Sequence, residues 1–171
     1  MTTLVNRISF AWEYYHPTIL AIFALFLTLG FGPSVIEYLN SNKYSVYEIY
    51  SSVFDISSVF TAFLFTFYTF VVTTERGFIA AVKKSRFYKL AVRYTLEALL
   101  LGAFLTIFTI PMKVIVPAPT TFDATLFGVA LWVALAVWTA AAFVRSSYLF
   151  TMLVSQHEQH QSLTAVGFWR R

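Results

Sequence analysis

Glu97 lies well inside an apolar stretch that begins near Ala91, which is an unusual place for a carboxylate. An ionised side chain at bilayer depth is costly, and such residues pair with a cation or serve an ion or proton path. Arg93, four residues earlier on the same helical face, provides a local ion-pair partner. A proton-coupled site and a pair between subunits are the functional alternatives for Glu97. Arg145 follows an alanine-rich stretch and reads as an anchor at the inner membrane boundary.

Two sets of small and polar residues recur at helical spacing. Asp55, Ser58, Ala62, Thr66, Thr69 and Thr73 are three or four apart and share one face. Thr95, Ala98, Gly102, Thr106, Thr109 and Lys113 repeat the arrangement. Such stripes have two uses. They let helix backbones approach and hydroxyls bond across the contact, or they line a water-filled path in an oligomer. Asp55 also stands near a helix start, where the helix dipole favours a carboxylate.

Arg76, Lys83, Lys84, Arg86, Lys89 and Arg93 form the densest basic cluster. Its chemistry suits anionic lipid headgroups or a soluble protein partner. Nucleic acid is not an expected partner, because membrane topology already explains the positive charge. His157 and His160 are three apart, but no third ligand accompanies them, and they read as part of a solvated tail. There is no cysteine, so disulfides and thiolate metal sites are excluded. No phosphate-binding glycine loop or nucleophile elbow is present. No catalytic residue, cofactor or metal is therefore expected.

The elements that must position these residues are membrane spans. The 171 residues are 58% hydrophobic and only 12% charged, with a mean hydropathy of +0.70. Apolar stretches run over about 17–36, 53–73, 91–112 and 124–144, each long enough for a hydrocarbon core of about 30 Å. The expected fold is an all-α integral membrane four-helix bundle forming one domain over 1–171. Of the twelve Lys and Arg residues, only Lys43 and Lys113 fall in the gaps after the first and third stretches. The remaining cations place both termini in the cytoplasm by the positive-inside rule. The expected location is the cell's inner, plasma membrane.

Finer expectations follow. Leu4, Ile8, Ala11, Trp12 and Tyr15 make a stripe fitting either a short interfacial amphipathic helix or an extension of the first span. Gly30, Gly32 and Pro33 mark a kink or an end of that span. Tyr38, Tyr44, Tyr47 and Tyr50 form an aromatic belt. Residues 74–93 form a cytoplasmic hairpin that extends the second and third spans, with a tight turn near Lys83–Arg86. Pro111, Pro117 and Pro119 exclude helix and imply a stiff loop from Pro111 to Asp123. Residues 145–171 form a helical tail. Ala130, Ala134 and Ala141 share a face suited to close helix contact.

In architecture alone, the chain resembles the small four-span subunits of multi-protein bacterial defence systems against phage, Kiwa among them. That resemblance implies an anchoring role in such an assembly. The expected function is a non-enzymatic, homo-oligomeric sensor or anchor in the bilayer, whose basic hairpin docks a cytoplasmic protein. The alternative is a homo-oligomeric ion channel or pore-forming effector lined by the two stripes. A third reading is a proton-coupled transporter using Glu97.

Overall fold

A computed structural model describes residues 2–73, 83, 86–114 and 124–168. Side chains are described for 15–73, 83, 88–114, 124–149 and 151. The described chain is all helical. Helix α1 spans Thr2–Ser41, α2 Val46–Thr73, α3 Arg86–Met112 and α4 Ala124–Phe168.

Helix α1 is a single rod. It passes through Pro17 and Pro33 without a break, so Gly30–Pro33 does not end the first span. Each proline removes one intrahelical bond, a loss that helices packed in a membrane protein tolerate. The segment before Pro17 continues the same helix and is not a separate element. α1 stops at a Schellman arrangement. The Tyr44 amide donates to the Leu39 carbonyl at 2.9 Å and the Lys43 amide to that of Asn40 at 3.2 Å. Lys43 supplies the left-handed residue, with φ of 58°. Ser45 then caps α2, its hydroxyl accepting from the Glu48 amide at 3.4 Å.

At the other end of α2, Lys83 lies in a turn, and the ammonium donates to the Val72 carbonyl at 2.8 Å. A cation there meets the negative end of the helix dipole. The expected extensions across 74–82 lie outside the described residues. Pro111 is a correction: it belongs to the last turn of α3, not to the loop. Its missing amide costs one bond, and the helix closes directly afterwards, with the Lys113 amide donating to the Thr109 carbonyl at 3.2 Å. Pro117 and Pro119 are outside the described residues. The helical tail is as expected, since α4 continues to Phe168.

α1 packs along α4, α4 along α3, and α3 along α2. Antiparallel bonds between the helices define two ends. The turn end carries Asn42–Ser45 and the start of α4. The hairpin end carries the end of α2 and the start of α3. One core cluster joins Tyr50, Leu105, Met112, Trp132 and Leu135, and a second joins Leu64, Ala98 and Ala142. Ala130, Ala134 and Ala141 are all buried. The outside is apolar as well: Phe23, Phe26, Phe63, Phe104 and Ile107 are exposed. Lipid, not water, solvates such a shell. Tyr15–Ser41, Val46–Thr73, Tyr88–Met112 and Ala124–Leu149 are each long and apolar enough to cross a membrane. The chain is thus a bundle of four candidate spans in contact with a bilayer.

Candidate functional site

The polar side chains of the bundle fall into two populations, one joining helices and one facing outward. The strongest of the first kind is Glu97. Its Oε2 accepts from Arg145 Nη2 of α4 at 2.7 Å, while the neighbouring Arg93 is exposed. Arg145 is drawn into the bundle: its side chain is 5% exposed, against 34% for Glu97. The guanidinium also stacks over the Tyr94 ring, 3.9 Å from its centroid. Beside this pair, the hydroxyls of Thr95 and Ser146 are 2.8 Å apart. Together these groups tie α3 to α4 at the hairpin end.

The middle of the bundle is set by size. Gly102 is buried where α2, α3 and α4 converge, and a Cβ placed on it would collide with the Thr61 hydroxyl. That hydroxyl already donates to the Ser57 carbonyl at 2.7 Å. Close by, Ser57 and Thr106 hydroxyls meet at 3.0 Å across α2 and α3. Towards the turn end, Trp132 Nε1 donates to the hydroxyl of fully buried Thr109 at 2.9 Å. Tyr50 meets Trp132 edge-on, with centroids 4.7 Å apart. Lys113 sits over the Phe54 ring at 4.2 Å and donates to Ser51 at 3.4 Å.

The two stripes therefore have different surroundings. On α3, Thr95, Gly102 and Thr109 are buried and Thr106 is half-buried, all within the chain's own packing. On α2, Asp55, Thr66, Thr69 and Thr73 are exposed, and Ser58 is half-buried. Thr66, Thr69 and Thr73 donate to their own helix, at Ala62, Phe65 and Thr69 carbonyls. The residues of α2 that meet α3 include Ser57, Thr61 and Leu64. Their spacing of four and three was visible in the sequence, but hydroxyls on both faces hid which one turned inward. Arg145, Tyr94, Ser146 and Trp132 were also missed as site residues.

No protein-family model matches the chain, and no curated protein or solved structure is similar to it.

The basic cluster is partly described. Lys89 and Arg93 are exposed on the first turns of α3, and Lys83 caps α2. Arg86 begins α3. Arg76 and Lys84 lie outside the described residues. Among the described residues, no group of three His, Cys, Asp or Glu is placed to hold a metal ion.

Proposed function

We propose that this chain is a non-enzymatic, oligomeric sensor or anchor subunit of the plasma membrane. Both termini face the cytoplasm, and the basic hairpin over 74–93 docks a soluble partner. The observation that carries this reading is the division of polar groups. Glu97, Arg145, Thr95, Ser146, Ser57, Thr106, Thr109 and Trp132 bond helix to helix, whereas Lys89 and Arg93 stand on the outside at the hairpin end. α4 leaves the same end, and its stretch beyond Leu149 to Phe168 is about 28 Å of further helix at 1.5 Å per residue. A bacterial anti-phage assembly is the setting that the four-span architecture resembles.

The triple variant Lys84→Glu/Arg86→Glu/Lys89→Glu tests it and spares the capping Lys83. Affinity purification of the native chain should recover a soluble protein at a defined ratio, and the variant should lose about tenfold or more of it, as expected when several charge contacts reverse sign. Recovery of the same protein by the variant would sink the docking role.

The homo-oligomeric channel keeps one specific support, the outward polar face of α2. Hydroxyls and the Asp55 carboxylate facing lipid are better accommodated against another copy. Since the α3 stripe is enclosed within the chain, a pore axis would lie along α2. Liposomes carrying the protein would then pass ions, and Thr66→Leu with Thr69→Leu would reduce the flux about tenfold by removing polar lining. Flux that is absent, or unchanged in the variant, contradicts the pore.

A further inference from the structure

α1 and α2 join at the Asn42–Ser45 turn, but each makes its main contacts elsewhere, α1 with α4 and α2 with α3. The space left between them, floored by α4, is a groove of about 430 Å³. Leu27, Phe31, Leu39, Tyr50, Val129 and Trp132 line it, and all lie in candidate spans. From Leu27 to Leu39 the α1 wall is about 18 Å long. That is close to one leaflet's half of a hydrocarbon core about 30 Å thick.

At its turn end, the groove borders a second recess that shares Leu39 and Ile49 with it. This recess brings the polar side chains Tyr44, Ser45, Glu48 and Ser52 beside apolar Leu39, Ile49 and Val53. An apolar groove that borders a recess carrying a carboxylate matches the amphipathic shape of a lipid. One charged group sharpens the match: Glu48 is exposed in the recess and has no ion-pair partner among the described residues.

We propose that the groove holds one aminophospholipid from the leaflet at the turn end. An acyl chain lies along Leu27–Leu39, and the headgroup ammonium meets the Glu48 carboxylate. A carboxylate in the recess favours a headgroup that carries a cation over a purely anionic one. The site requires only that the bundle sits in a bilayer, so it stands independently of any docking partner.

The test is native mass spectrometry of the purified full-length chain, given equal amounts of phosphatidylethanolamine and phosphatidylglycerol with matched chains. One phosphatidylethanolamine should remain bound per chain, favoured about tenfold, the value of one charge-assisted contact. Val35→Trp, at an exposed position lining the groove, should fill it and lower lipid retention by a similar factor. Glu48→Gln should keep a lipid but lose the preference. No lipid on the native chain, equal retention of the two lipids, or unchanged retention in Val35→Trp would overturn the proposal.

Discussion

Arg145→Met is expected to destabilise the purified protein by about 3 kcal/mol, because it strands a carboxylate within the bundle. Arg145 is almost fully buried and reaches Glu97 at 2.7 Å, so its removal leaves Glu97 without that partner at bilayer depth. The figure is at the low end for broken buried pairs, since the Glu97 side chain is a third exposed. In thermal unfolding in detergent, the midpoint should fall by on the order of 10 °C. Glu97→Leu should cost a comparable amount, because it leaves the guanidinium buried. The double variant Glu97→Leu/Arg145→Met should recover most of the loss, as apolar replacements of buried pairs do. Two single losses that simply add in the double variant would show that the pair does not couple α3 to α4.

The second large effect is at Gly102. Gly102→Val should lower stability by about 3 kcal/mol, the upper part of the range for overpacking. Any side chain there meets Thr61, whose hydroxyl is held by the Ser57 carbonyl, and Thr139 stands on the far side. Gly128 provides the contrast, because a Cβ on it meets nothing within 4 Å. Gly128→Ala should therefore be neutral or stabilising by up to about 1 kcal/mol, the helix preference for alanine. Thr61→Ala should relieve part of the loss in Gly102→Ala. Equal effects at Gly102 and Gly128 in the same unfolding measurement would refute a tight α2–α3 approach.

The four spans were legible because length and apolar content alone identify them. The helical tail was legible too, through the absence of breakers before Gly167. What misled was proline. Pro33 and Pro111 carry strong breaking signals in water-soluble chains, yet one sits inside α1 and the other in the last turn of α3. Each loses a single bond, which neighbouring helices and chain ends can absorb. The partner of Glu97 was hidden for a different reason. Sequence spacing shows neighbours on one helix, such as Arg93, but Arg145 is 48 residues away and meets Glu97 only when α3 and α4 pack. The α2 stripe shows the same limit. Periodicity established that Asp55, Thr66, Thr69 and Thr73 share a face, but not that the face turns away from α3.

The docking proposal depends above all on which side of the membrane the basic end occupies. The chain has no cysteine, so single introduced thiols report position without background. In intact spheroplasts, a membrane-impermeant maleimide should label Asn42→Cys at the α1–α2 turn and leave Lys84→Cys in the basic hairpin unlabelled until the membrane is opened. Labelling of Lys84→Cys in sealed spheroplasts, with Asn42→Cys protected, would contradict a cytoplasmic hairpin and the docking role built on it.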